Sequence, residues 1–384
     1  MKIREVTVFS EDDSLDLNCW SNVPFLFTKS LEKKGIKVNR VNIYSNKYIR
    51  KTIWAYFFKP LLDLLFKGNI YAYEQTFLNR WLVRCRIRKA LKRFKNSDLN
   101  IYLSYAYLDE SSGIPNVLFS DWTSEYVLRY RLKRKPYSFE KAYLDIQRRN
   151  IQQADIVLSL FPDIARAMEV MYGRSPIYYL GQNVINNVYE GSLEQASILP
   201  LKKRSNILLF IGRETYLSGA RLLVRSFEIL RKDFPNLELH IVGLTASYFE
   251  DLPDNVFVHG YLDKSKPAQK NLYYDLLINS RLFINPTPQW GGYSSTVEAM
   301  YFYTPVVISD YSSFVDTFGT EIPFGYYVKQ SDGSDLCDCL RKVLTNTAYE
   351  QLCIASHKAV SDFTWDNFVD KFLIQVDSVL KIKR

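Results

Sequence analysis

At 384 residues the chain exceeds the size at which one hydrophobic core keeps growing, so two domains are expected. Hydrophobic residues (47%) and charged residues (24%) stand in an ordinary globular balance, which excludes a disordered chain. Charge is uneven: residues 1–190 hold 30 Lys+Arg against 19 Asp+Glu, net +11, and residues 191–384 hold 20 against 22, net −2. The first half should therefore meet an acidic partner.

The opening segment, MKIREVTVFSEDD, lacks the apolar core of a signal peptide. Glu5–Phe9 reads as a strand. Val23–Lys34 reads as a helix, with Asn22 as N-cap, Pro24 in its first turn and Gly35 past its end. Lys37–Ile43 is the next strand. Ile53–Phe66 (IWAYFFKPLLDLLF) is the longest apolar stretch. Lys59, Pro60 and Asp63 interrupt it, so it does not read as a transmembrane helix, and taken alone its apolarity points to core. Arg80–Lys95 (RWLVRCRIRKALKRFK) is rich in bases, has no acid and intersperses Trp81, Leu82, Val83, Ile87, Leu91 and Phe94. On a helix this is the make-up of an interfacial segment drawn to anionic lipid, and Arg129–Lys135 adds charge. Further short apolar strands are expected at Asn100–Ser104, Asn116–Ser120, Asp155–Leu160 and Ile177–Leu180, with a helix from Pro162 to Tyr172 that stops at Gly173. Strands alternating with helices predict an α/β fold with a mostly parallel sheet covered on both faces.

Between Glu190 and Ser205 the pattern becomes irregular, which places the linker there. It then restarts: strand Asn206–Ile211, helix Leu222–Phe234, strand Glu238–Val242, strand Val256–His259, helix Asn271–Ser280. The segment Arg281–Asp310 is the most informative. An apolar run ends in Asn285-Pro286, a glycine-rich turn follows (Gly291, Gly292, Tyr293, Ser294, Ser295), then a helix bearing Glu298, then the strand Pro305–Ile308. Such a loop gathers free N–H groups at a helix N-terminus, where the dipole also favours an anion, so phosphate is the suitable ligand. Glu298 follows about one turn later, roughly 5 Å along the axis, where a carboxylate can accept from ribose hydroxyls. Gly212 and Arg213 end the first strand of this half. In an open α/β sheet ligands bind there, and a guanidinium suits a diphosphate. The alternative for Arg213 is a plain surface arginine. Tyr261 could stack on a base and Lys264 reach a phosphate, although solvated loop charges are the readier reading of both.

The five cysteines are scattered and odd in number, which suits reduced thiols, and the three histidines have no ligand spacing, so no metal is expected.

The order of these segments resembles the retaining glycosyltransferases of family 4, of GT-B architecture. The stretches that carry the likeness are IQQADIVLSLFPDIARAMEVMYG with GQNVI, then NILLFIGRETYLSGARLLVRSFEILRKDFPNLELHIVG, then Glu298-Ala299-Met300 with Pro305-Val306-Val307, and the FTWDNFVDKF ending. The resemblance implies two Rossmann-like domains facing a cleft: an acceptor-binding domain at 1–188, a nucleotide-sugar domain at 189–363 and a final helix at 364–384 crossing back to the first. It implies ribose binding by Glu298 and diphosphate binding by Arg213. Family members usually carry a second glutamate eight positions before the first and a lysine five positions after the arginine. Here those positions hold Trp290 and Ser218. Lys264 or Arg221 is then a candidate to supply the missing charge.

The implied reaction moves a sugar from a nucleotide-diphosphate sugar to a hydroxyl acceptor with retention and without a metal or other cofactor. Arg213, Ser218 and the amides of Gly292–Ser295 would stabilise the leaving diphosphate. The expected donor-binding set is Gly212, Ser218, Lys264, Trp290, Gly291, Gly292, Tyr293, Ser294, Ser295 and Glu298. On the acceptor side Trp20, Asn22 and Trp122 are expected contacts and Asp121 a catalytic one, with N-capping of the next helix as the alternative for Asp121. Expected partners are a nucleotide sugar, a glycan or lipid-linked acceptor and an anionic membrane surface on the cytoplasmic side. An inactive sugar- or nucleotide-binding relative, and a basic membrane- or nucleic-acid-binding protein, are the competing readings.

Overall fold

The computed structural model describes residues 3–44, 52–288, 292–329 and 333–382. They form two compact units, one running to Gln182 and including the helix from Trp365, the other spanning Asn183–Thr364.

The first unit is built on five parallel strands, β1 (Glu5–Ser10), β2 (Lys37–Asn42), β3 (Leu99–Tyr102), β4 (Asn116–Ser120) and β5 (Ile156–Ser159), in the order β2-β1-β3-β4-β5. Strands β3 and β5 are buried along their whole length, as the near-continuous apolar runs of a sheet covered on both faces require. The order reverses between β1 and β3. The helix Val23–Lys33 is covered by the C-terminal helix Trp365–Ile382. Phe27 meets Trp365 and Phe372 edge-on at 6.0 and 5.4 Å, and Ser30 and Lys33 both bond Asp366. Exposed ion pairs are worth about 0.2–1 kcal/mol, and buried aromatic pairs about 0.5–1.5 beyond their area. The rings therefore hold this helix more than the charges do.

The second unit has six parallel strands, β6 (Ile207–Ile211), β7 (Glu238–Val242), β8 (Val256–Gly260), β9 (Ser280–Asn285), β10 (Val306–Ser309) and β11 (Gly325–Val328), in the order β11-β10-β9-β6-β7-β8. Read from β8, this is the doubly wound 3-2-1-4-5-6 arrangement, whose order reverses between β6 and β9.

Four sequence expectations change. Ile177–Leu180 does not form a strand; only Tyr178 bridges Leu158, between Pro176 and Gly181. The irregular stretch before Ser205 contains a helix, Gln195–Arg204. Lys202, the first residue of its basic end, is fully buried and donates to Leu277 O at 2.5 Å and Thr304 Oγ1 at 2.6 Å. Leu277 lies in the last turn of the helix Pro267–Asn279, where a cation meets the negative end of the dipole. Burial still pushes the Lys202 ammonium down to about 7.

Ile53–Phe66 is not core. It forms a π-helical turn (Trp54–Phe58) and a helix (Lys59–Leu65) whose large side chains face solvent: Tyr56 is 78% exposed, Phe57 73% and Leu64 78%. The basic helix Phe77–Arg93 divides its apolar residues. Val83, Ile87 and Leu91 pack inward, while Phe77, Leu78 and Trp81 are exposed. No helix of the described residues is long and apolar enough to cross a membrane.

Candidate active site

Ligands of doubly wound sheets sit beyond the carboxyl ends of the strands, where the order reverses. In the second unit that point lies between the loops after β6 and β9. Gly212 follows β6, and its N–H donates to Val242 O at 3.0 Å. Gly243 must be glycine twice over: its φ is +99°, and a Cβ would lie 2.4 Å from Gly212 O. Its N–H donates to Gly260 O at 2.7 Å, so the ends of β6, β7 and β8 are tied together.

Two bonds cross the reversal. Tyr216 donates from its hydroxyl to Gly292 O at 2.7 Å, and Ser295 Oγ donates to Ile211 O at 3.3 Å. The helix Leu217–Leu230 also approaches the loop closely at Gly219, where a Cβ would meet Thr287 Oγ1 at 2.2 Å. The helix Ser294–Tyr301 thus begins beside the first loop, with Ser294 and Ser295 in its first turn.

Glu298 lies one turn further and is 3% exposed. Lys264 Nζ donates to both its oxygens, at 2.9 and 3.2 Å, and the Tyr273 hydroxyl donates to Oε2 at 2.7 Å. Lys264 also reaches Asn186 O at 3.1 Å and lies over the Tyr273 ring. Burial and the adjacent carboxylate hold the Tyr273 phenol well above its usual value, so it remains a donor. Three donated bonds therefore fix the orientation of Glu298, with acceptor capacity left on its two oxygens.

Arg213 is exposed at the end of β6, its guanidinium 4.9 Å from the centre of the Tyr261 ring. Ser218 is exposed in the first turn of its helix. The Tyr293 ring is fully buried against Phe314, and its hydroxyl bonds Thr317 at 2.8 Å, which leaves its backbone as the part placed for a ligand. Trp290 and Gly291 lie outside the described residues.

The first unit has its own cavity, about 390 Å³, at the corresponding reversal, between the ends of β1 and β3 and reaching the end of β4. Trp20, Asp121 and Trp122 line it with Glu11, Ser104 and Tyr143. Asp121 Oδ2 accepts from Trp20 Nε1 at 3.2 Å, and Oδ1 accepts from Trp122 N at 2.8 Å. Asp121 is not the cap of the next helical turn; Thr123 is, accepting from Tyr126 N. Ser104 donates to Glu11 Oε1 at 3.0 Å. Burial pushes the Glu11 carboxyl up to about 7 and raises Asp121 as well, although part of each still faces the cavity. Trp20, Ser21 and Asn22 all have positive φ (39°, 53° and 70°), a run of left-handed non-glycine residues that costs energy and tends to occur at functional positions. Asn22 makes no side-chain cap bond, is buried, and is not among the residues that line the cavity, so of the expected acceptor contacts only Trp20 and Trp122 face it.

Residues 192–359 match the family described as glycosyl transferases group 1. Sucrose-phosphate synthase from Thermosynechococcus elongatus superposes with a TM-score of 0.67 at 14% identity, covering 98% of this chain and 99% of its own. HepE from Anabaena, solved with UDP and glucose, gives 0.61 at 14%, covering 97% and 100%. WaaG, a glycosyltransferase involved in lipopolysaccharide biosynthesis, gives 0.61 at 13%, covering 94% and 95%. No curated protein sequence matches the chain.

The fold is GT-B.

In this GT-B chain the second unit gathers Gly212, Arg213, Ser218, Gly292, Ser294, Ser295 and Glu298 around one strand reversal. Lys264, proposed from sequence for a phosphate, is committed instead to Glu298. Arg221, the other candidate for that charge, donates twice to Tyr248 O. The first unit gathers Trp20, Asp121 and Trp122 around another. Sequence reasoning missed Tyr216, Tyr273, Thr287 and Glu11. Glu11 was open to detection, since it is the first acid past the first strand and the strand order makes that end a ligand position. Tyr273 carried no signal, because it lies on a helix ordinary in composition.

Proposed function

We propose that the protein transfers a sugar from a nucleotide-diphosphate sugar to a glycan or lipid-linked acceptor with retention of configuration. The observation that carries this is Glu298, buried and held by Lys264 and Tyr273 one turn inside a helix that starts at the β6/β9 reversal. A diphosphate at that helix start meets free N–H groups and the positive dipole end, which places the ribose beside Glu298. Arg213, across the reversal, supplies the mobile charge for the leaving diphosphate, whose stabilisation is the main work of the reaction. Ser218 donates a hydrogen bond where relatives of this type supply a lysine. In this reading the acceptor attacks from the leaving-group side, a phosphate oxygen takes its proton, and neither a metal nor a protein nucleophile is needed. The acceptor binds the first unit, and Asp121 orients its hydroxyl.

The exposed apolar face at Tyr56–Leu65, with Phe77, Leu78 and Trp81 on a basic helix, supports a peripheral position on the cytoplasmic face of a membrane. Capsule, lipopolysaccharide or exopolysaccharide assembly is the matching setting. WaaG, one of the structural neighbours, is described as acting in lipopolysaccharide biosynthesis.

The test is a thermal-shift screen with UDP, GDP, ADP and their sugar conjugates, with and without EDTA. A site with Kd of ~10 μM at ~1 mM ligand raises stability by about 2.7 kcal/mol. An EDTA-insensitive shift with one nucleotide is expected. No shift with any nucleotide sinks the reading.

A further inference from the structure

The cavity of the first unit has a chemistry opposite to that of its surroundings. Residues 1–190 carry 30 Lys+Arg against 19 Asp+Glu, net +11, yet among the described residues that line the cavity there is no lysine, arginine or histidine. Its charged groups are two carboxyls, Glu11 and Asp121. Its remaining polar groups are hydroxyls and an amide, including Ser104 and Tyr143, and two of its walls are the indoles of Trp20 and Trp122.

Each feature favours the same kind of guest. A carboxyl group presents two acceptor oxygens side by side, which matches a pair of neighbouring hydroxyls. Indole rings offer an apolar body with a polar edge, and the C–H face of a pyranose packs on such a surface. Trp122 is braced for this by stacking on Phe161, at 5.3 Å and 13° between planes. Trp20 is braced by its bond to Asp121 and by the tilted ring of Phe119 at 6.1 Å. A volume of about 390 Å³ lies at the small end of the range for ligand pockets, about 300–1,000 Å³, and suits one or two sugar rings. An anionic guest would bring its charge next to two carboxyls in a poorly solvated space, with no cation among the described lining residues to offset it.

We infer that this cavity takes an uncharged pyranose, so that the terminal sugar of the acceptor carries no phosphate, sulfate or carboxylate. The inference rests on the reading of the first unit as acceptor-binding. It also separates two roles for charge in that unit: the basic helix serves a surface, and the cavity serves the sugar. Glu11 contributes through its burial, because a carboxyl that titrates near 7 donates as well as accepts at neutral pH.

The experiment is a binding titration, by ligand-observed NMR in 0.3 M salt, of neutral methyl hexosides against their 6-phosphates and 6-carboxylates, with the nucleotide screen run on the same sample. At least one neutral hexoside should bind, and its charged counterpart should bind at least about tenfold more weakly. Asp121→Asn and Glu11→Gln, which keep shape, should narrow that gap while leaving the nucleotide shift unchanged. A charged counterpart that binds as well as its neutral parent overturns the inference, and so does binding that the two substitutions leave untouched. Failure of every hexoside beside a normal nucleotide shift also overturns it, and leaves the proposed transferase standing. Loss of the nucleotide shift in the unsubstituted protein counts against the transferase reading instead.

Discussion

Three side chains illustrate how far a single residue can be read. Arg213 was identifiable because it lies just past the end of a strand that opens an α/β unit, and it stands exposed there over Tyr261. If it stabilises the departing diphosphate, Arg213→Ala lowers turnover at least about tenfold, or about 1.4 kcal/mol of transition-state stabilisation. Steady-state rates with saturating donor measure this, and unchanged turnover would remove Arg213 from the mechanism. Glu11 makes a prediction about pH. Its carboxyl titrates near 7 in the folded protein against an ordinary 4.5. Between those values the folded chain holds more protons than the unfolded one, so this residue's contribution to stability falls as pH rises from about 4.5 through about 7, then levels off. Glu11→Gln should therefore gain stability relative to the parent across that window. Denaturant melts of both proteins at pH 5, 6, 7 and 8 measure the difference, and a constant offset would show that Glu11 titrates normally. Glu298 shows the limit of residue reading. Its neighbours in sequence are apolar, which indicates burial, but nothing near it indicates Lys264 or Tyr273 as its partners.

At the scale of elements, periodicity and turn residues located most of the structure. β4 and the helix Pro162–Tyr172 lie where the sequence places them, because alternation, Pro and Gly act locally. Contacts between elements carry less local signal. Gly219 sits in an otherwise ordinary helix start, yet the helix approaches Thr287 so closely that a methyl group would lie 2.2 Å from Oγ1 and 2.9 Å from the backbone nitrogen. Gly219→Ala should push the helix off the β9 loop, cost about 1–3 kcal/mol as overpacking does, and weaken nucleotide binding. Adding Thr287→Ala should recover part of the loss. Melts with and without nucleotide check both, and an alanine variant of full stability and affinity would show that this contact does not shape the site. The strand expected at Ile177–Leu180 failed for a related reason. Apolar content suits a strand, but pairing depends on a neighbour, and Pro176 and Gly181 leave room for only one bridge.

The whole molecule decides what a surface is for. Ile53–Phe66 and Arg80–Lys95 are both apolar-rich in sequence. Of the two, the first exposes its large side chains, and the second buries its Val83–Ile87–Leu91 stripe. If Phe57, Leu61 and Leu64 enter a membrane interface, each contributes about 1.5–3 kcal/mol when fully buried. Replacing all three with serine should then reduce binding to anionic vesicles by more than tenfold without altering the nucleotide shift. Flotation with anionic and neutral vesicles at two salt concentrations measures this. Equal binding of the parent protein to both vesicle types would exclude the electrostatic part of the attraction.

The sequence by itself determined the α/β class, the restart of the pattern in the second half, the helix that carries Glu298 and the charge asymmetry. Each depends on residues close together in the chain or on a simple sum. Only the tertiary structure decided strand order, and with it the two reversals at which the candidate sites lie. Only the structure paired Lys264 with Glu298, 34 positions apart, and Trp20 with Asp121, 101 positions apart. Local preferences act over a few residues, whereas such pairs follow from how whole strands and helices pack, which no short stretch of sequence encodes.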